Sequence, residues 1–150
     1  MPAFNADPSA ERLFSPDWSQ IGPASEWLNH AGSSLGIPLE ALNRLDVCLN
    51  EALANVLSHG GPGATAAPLR LRISVENFRH SNASATLTVC DGGLKFDPTA
   101  FTPSPLPKSL DDVQPGGLGI ILIRGSANEL GYRYISGTNQ FDITVCWPKC

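Results

Sequence analysis

Leu45-Asp-Val-Cys-Leu-Asn-Glu-Ala-Leu-Ala-Asn-Val-Leu-Ser-His59-Gly60 carries two patterns at once. Leu45, Leu49, Ala52, Leu53, Val56 and Leu57 recur with the 3.6-residue period of an α-helix. At about 100° per residue they fill one arc of it. Glu51, Asn55 and His59 step by four and stay together on another arc, drifting roughly 40° per step. One face is made to enter a core, and the other sets a carboxylate beside a carboxamide. Taken alone, that polar face describes no more than a solvated helix surface. Weight comes from two later stretches, Asp91-Gly-Gly-Leu-Lys-Phe-Asp-Pro98 and Gly116-Gly-Leu-Gly119, the second in front of an apolar run.

On either side of this helix the chain reads as alternating helices and hairpins. Residues 1–10 form a loose tail, and Arg12–Ser15 has the look of a short edge strand. Pro23–Leu35 reads as a first helix with Ala24, Trp27, Leu28, Ala31 and Leu35 on one face, ended by Gly36 and Pro38. Gly60-Gly-Pro-Gly63 stops the central helix, and the segment to Pro68 reads as a flexible loop. Leu69, Leu71, Ile73 and Val75 alternate with polar residues, a half-buried strand over Leu69–Glu76. Residues 80–83 turn it into a partner strand, Ala83–Asp91. From Pro98 to Pro115 the chain is polar, rich in proline and aperiodic. Leu118–Leu130 reads as a third helix, followed by a hairpin of Gly131–Ser136 and Asn139–Trp147 around Gly137-Thr138. This order implies an α+β fold: a two-layer sandwich with helices on one face of a mainly antiparallel, mixed sheet.

Composition narrows the function. At 150 residues, one domain is the simplest reading, with the fold occupying residues 11–150. The net charge of −4 and the lack of a basic run argue against nucleic acid, since neutralising phosphates requires clustered Lys and Arg. No apolar stretch is long enough to span a membrane and no signal-peptide pattern opens the chain, so a soluble, cytoplasmic protein is expected. Cys48 and Cys90 lie within apolar runs, where a thiol acts as a small hydrophobe. Cys146-Trp-Pro-Lys-Cys150 lacks both the redox spacing and nearby histidines, which favours structural thiols over a zinc site.

The order of elements and the three motifs resemble the GHKL ATPase superfamily, the Bergerat-fold nucleotide binders. Within it they most resemble the anti-sigma-factor serine kinases of bacterial partner-switching systems. The resemblance spans the chain from about residue 11. It sets Glu51–Gly60 as the Asn-bearing box, Asp91-Gly-Gly93 with Phe96-Asp97-Pro98 as the first glycine box, and Gly116-Gly117-Leu118-Gly119 as the second. It implies ATP or ADP and Mg²⁺ as ligands. Asn55 would give an oxygen to Mg²⁺, and Glu51 would be the general base. Asp91 would accept a hydrogen bond from the adenine amine, and Gly93 would let backbone approach the base. Gly116, Gly117 and Gly119 would cradle phosphate at a helix start. Thr144 would stand near the adenine, and residues 97–115 would form a lid. His59 either touches nucleotide or partner or simply ends its helix. Read singly, Asp91-Gly-Gly is also a hairpin-end turn and Gly116–Gly119 a flexible join.

Two departures bear on partners. Lys95 stands where many relatives have glycine. Pro23–Leu35 has no Arg or Lys, although basic residues there often help kinases of this type dock a partner. The absence of an upstream helix pair with a phospho-accepting histidine argues against a sensor histidine kinase. The resemblance implies a protein serine/threonine kinase, often a homodimer, that binds a sigma factor or other regulatory target and phosphorylates a STAS-domain antagonist. The rival readings are a nucleotide-binding adaptor without catalysis and a separated ATPase module. Glu51 favours catalysis, because binding alone needs only Asn55, Asp91 and the glycines.

Overall fold

The computed structural model describes residues 8–77, 82–100 and 117–148. In chain order these form β1 (Ser9–Phe14), α1 (Ile21–Ser34), α2 (Leu39–His59), α3 (Pro62–Ala66), β2 (Leu69–Asn77), β3 (Asn82–Asp91), α4 (Gly117–Ser126), β4 (Glu129–Ile135) and β5 (Thr138–Pro148), with a 3-10 turn at Trp18–Gln20 leading into α1. The strands make one sheet in the order β1-β2-β3-β5-β4, and every neighbouring pair is antiparallel. α2 packs on β3 and β5, α1 on β2, and α4 on α2. This is the expected α+β sandwich, but among the described residues the sheet is wholly antiparallel rather than mixed, because its strands are joined as neighbours or by helices that return the chain antiparallel.

The two faces of the sheet follow from the two-residue period of its strands. Leu69, Leu71, Ile73 and Val75 of β2, Ala85, Leu87 and Val89 of β3, and Phe141, Ile143 and Val145 of β5 are buried in one cluster with Leu45, Leu49 and Leu53 of α2 and Leu28 of α1. The opposite face is polar: the Thr86 and Thr144 hydroxyls bond at 2.8 Å, and Thr88 donates to Asp142 at 2.6 Å. Cys48 is fully buried in the core, and burial pushes its thiol up to about 11, so it packs as a neutral small hydrophobe.

Local chemistry sets the element ends. α1 closes in a Schellman motif: Gly36, at φ 85°, donates to Ser33 O, and Ile37 donates to Gly32 O, both at 3.0 Å. β4 and β5 are joined by a two-residue turn in which Ser136 and Gly137 both have positive φ, the twist a tight hairpin needs.

Three sequence expectations shift. β1 begins at Ser9, inside the stretch read as tail, and residues 1–7 lie outside the described residues. The segment after α2 is not wholly loop: Pro62 occupies the first position of α3, where its missing N–H costs nothing. α4 ends at Ser126 rather than Leu130. There the Arg44 guanidinium takes Ser126 O at 2.9 Å, and Asn128 N already bonds Thr144 O at 2.8 Å, so Leu130 belongs to β4. Most of the segment expected as a lid, residues 101–115, lies outside the described residues, and Gly116 with it.

Candidate active site

The polar arc of α2 faces the start of α4. Both Glu51 and Asn55 are half-buried. A methyl group added at Gly119 would lie 2.8 Å from Glu51 Oε2 and 3.6 Å from both amide atoms of Asn55, so a larger residue there would make the Glu51 carboxylate shift. Among the described residues, no side-chain hydrogen bond engages Glu51 or Asn55. Both polar groups thus keep contact with solvent beside a helix N-terminus, where backbone N–H groups favour anions.

Next to them opens a cavity of about 260 Å³, walled by Asn55, Val56 and His59 of α2, Ile120 and Ile123 of α4, and Val89 and Phe141 of the sheet. Asp91, the last residue of β3, sits in its lining and is 8% exposed. Its Oδ1 accepts Gly93 N at 2.8 Å and Asn139 Nδ2 at 3.1 Å, and no donor among the described residues engages Oδ2. Burial pushes the Asp91 carboxyl above the usual carboxylate range, and the bonds from Asn139 and Gly93 oppose that rise.

Two glycine clusters make the wall beside Asp91. A Cβ on Gly93 would stand 2.9 Å from Gly60 O and 2.9 Å from Asp91 Oδ1; one on Gly63 would stand 2.5 Å from Gly92 O. Leu94 N donates to Gly60 O at 2.9 Å, locking the two backbones together. The sequence presents Gly60–Gly63 as a stop signal, and the fold uses it as the surface on which the Asp91–Gly93 turn rests. Past that turn, the Lys95 ammonium lies 5.5 Å over the Tyr134 ring at the cavity rim.

Of the residues singled out from the sequence, Asn55, Asp91 and His59 line the cavity, His59 as an exposed rim residue at the end of α2. Glu51 stands one turn away at the α4 edge, next to Gly119, and Gly117 opens α4 as a buried residue. Gly93 shapes the turn above Asp91. Thr144 is not brought in. It follows Ile143 and so points to the other face of the sheet, where it meets Thr86, and it does not line this cavity.

Sequence reading missed Asn139, which pairs with Asp91 across the last rung of β3 and β5. It also missed Tyr132, which donates its hydroxyl to Asn139 Oδ1 and whose phenol is pushed up chiefly by burial, keeping it a neutral donor. A signal for Asn139 existed. Asn139, Phe141, Ile143 and Val145 alternate as the buried face of β5, and an asparagine in such a row requires buried partners. Arg124 was also missed; its Nη2 donates to Pro98 O at 3.2 Å, tying the segment after the Asp91 turn to α4.

No helix among the described residues is long and apolar enough to cross a membrane. Residues 14–147 match the family described as histidine kinase-like ATPase domain. The chain is also similar to a protein named Serine/threonine-protein kinase BtrW from Bordetella bronchiseptica, 32% identical over 118 residues, which cover 79% of this chain and 80% of that protein.

Proposed function

The chain belongs to the histidine kinase-like ATPase domain family, and from that premise we propose that it is an ATP- and Mg²⁺-dependent protein serine/threonine kinase of the partner-switching type. One observation carries the reading. Glu51 and Asn55 stand without protein partners among the described residues, against the start of α4 and beside a cavity lined by Asp91.

The residues present fit an adenine nucleotide. Asp91 has one oxygen committed to the fold and one left to accept a donor. The exocyclic amine of adenine is such a donor, whereas guanine presents an acceptor oxygen at that place. Val89, Ile120, Ile123 and Phe141 supply apolar surface for a ring. The N–H groups at the start of α4 suit phosphate.

For Mg²⁺, the described residues hold no cluster of three or more His, Cys, Asp or Glu that could cage a metal. That suits a cation held mostly by phosphate oxygens and water, with Asn55 giving one carboxamide oxygen. When bound, the ion neutralises charge on the phosphates. In this reading Glu51 takes the proton of an acceptor hydroxyl as its oxygen bonds to the terminal phosphorus. The bond from that phosphorus to the bridging oxygen then breaks, and ADP leaves.

The acceptor in this reading is a serine or threonine of a STAS-domain antagonist, and the alternate partner is a sigma factor or other regulatory target. The kinase acts as a homodimer in the cytoplasm. That a relative is named a serine/threonine-protein kinase supports the chemistry; the partners rest on the resemblance set out from the sequence. The test is incubation with Mg²⁺, γ-labelled ATP and a purified STAS-domain protein. Label appearing on serine or threonine supports the kinase. Tight nucleotide binding without turnover would instead make it an adaptor, and phosphate released to water without transfer would make it an ATPase.

A further inference from the structure

We propose that Asn139 is a specificity-determining positioning residue: its carboxamide holds Asp91 by one oxygen so that the other is presented to the ligand as an acceptor. This deepens the nucleotide reading above and rests on it.

The argument begins with the amide itself. Asn139 is 5% exposed and makes five hydrogen bonds. Its Nδ2 faces three acceptors: Asp91 Oδ1 at 3.1 Å, Gly93 O at 3.3 Å and Leu94 O at 2.9 Å. Its Oδ1 faces two donors, Phe96 N at 3.2 Å and the Tyr132 hydroxyl. A backbone N–H cannot accept and a backbone carbonyl cannot donate, so the amide has one orientation only. A flipped amide would set oxygen against three acceptors.

One side chain therefore joins three things: the carboxylate at the end of β3, the backbone of the turn that follows, and Tyr132 on β4. The Asp91 carboxylate cannot rotate without giving up the bonds to Asn139 and Gly93. Its free edge is fixed toward the cavity before any ligand arrives, which lowers the cost of ordering on binding. An aspartate at 139 would turn a donor into a second buried carboxylate beside the first, and an apolar residue would leave Asp91 with Gly93 N alone.

The titratable and charged groups around Asp91 come from three elements: His59 from the end of α2, Lys95 from the turn after β3, and Tyr132 from β4. From β5 only Asn139 and Phe141 reach the cavity, and neither titrates. Removing the Asn139 donor leaves burial less opposed at Asp91. The carboxyl should then hold its proton to higher pH, and a protonated Asp91 is a poorer acceptor for a base amine.

The test compares wild type, Asn139→Leu and Asn139→Thr with two readouts. One is the ¹³C signal of the Asp91 carboxyl titrated in the ligand-free protein. The other is calorimetric affinity for ATP and GTP as a function of pH. Asn139→Leu should raise the Asp91 titration, lower ATP affinity about tenfold at pH 7, move the acid limb of ATP binding to higher pH and shrink the preference over GTP. Asn139→Thr, with one hydroxyl donor, should fall between; if the leucine variant does not fold, the threonine variant carries both readouts. An unchanged titration and an unchanged ATP-to-GTP ratio in the folded variants overturn the proposal while leaving nucleotide binding intact. If wild type binds no ATP and yet Asp91 titration moves with Asn139, the nucleotide reading falls and the positioning of Asp91 stands.

Discussion

The two ends of the cavity are built on opposite plans. At the Asp91 end, the polar groups are tied down save one Asp91 oxygen: Asn139, Tyr132 and the backbone of residues 93–96 hold one another and Asp91 Oδ1 in hydrogen bonds. At the Glu51 end, the carboxylate and the Asn55 carboxamide have no partner among the described residues, and a glycine backbone presses against them. A buried network that is fully satisfied fixes a shape. Polar groups left unpaired and half-buried are an invitation to a ligand that pairs them. In the proposed function, one end recognises and the other reacts.

The largest effect is expected at the unpaired end, where the proposed function sets the general base. Glu51→Gln keeps size and hydrogen bonding but cannot take a proton. Phosphoryl transfer should fall about 10²–10⁴-fold while ATP affinity stays near that of wild type. Single-turnover transfer and equilibrium binding, measured side by side, separate the two. Transfer near the wild-type rate would remove Glu51 from the role of base.

At the paired end, Asp91→Asn should act on binding rather than on the chemical step. Losing the charge on the acceptor should weaken ATP about 10–100-fold and narrow the preference over GTP. The empty protein should respond in the opposite direction. Burial raises the folded-state Asp91 carboxyl above its unfolded value, so the folded chain holds that proton more tightly. The resulting stability is fully present below the unfolded value and is lost as pH rises through the folded one. Asp91→Asn escapes that loss. Its melting temperature should exceed that of wild type at neutral pH, and the gap should close on acidification. A constant gap across pH would mean that Asp91 carries no such strain.

Between the two ends, Gly119→Ala tests how closely α4 must approach. The added methyl would meet Glu51 Oε2 at 2.8 Å, so the carboxylate must move or the helix start must back away. A displacement of that size at a reacting group should slow transfer about tenfold or more, with a smaller change in ATP affinity. Equal losses in both would place Gly119 at the binding end.

Much of this arrangement was legible in the sequence because periodicity encodes faces. Leu57 of the expected arc lies outside the core, but Leu45, Leu49, Ala52 and Leu53 mark the buried side of α2, and hence where Glu51 and Asn55 stand. The alternation of Leu69–Val75 did the same for β2. What escaped was everything that depends on contacts between distant elements. Asn139 lies 48 residues beyond Asp91 and meets it only through strand register. Gly63 reads as a helix stopper until Gly92 is packed on it. The end of α4 escaped because Ala127 and Leu130, both partly buried against the core, continue its apolar pattern past Ser126. Arg44 and Asn128, which enforce the break, act across 82 and 84 residues.

The smallest effect is predicted for Thr144, and it sharpens the contrast between the faces of the sheet. Thr144 and Asp142 alternate with Phe141, Ile143 and Val145 on β5, so the hydroxyl points away from the cavity while its neighbours line the core. Among the described residues its side-chain partner is Thr86, directly opposite on β3, at 2.8 Å. Thr144→Val keeps the β-branched shape that suits a strand and removes only that bond. Stability should drop by about 0.5–1.5 kcal/mol, and Thr86→Val should cost a similar amount. The double variant should cost less than the two together, since the second substitution has no bond left to break. ATP affinity, the preference over GTP and the transfer rate should each stay within about twofold of wild type, a change worth less than 0.5 kcal/mol. A marked loss of ATP binding in Thr144→Val, with the fold intact by melting temperature, would mean that the nucleotide is read from both faces of the sheet.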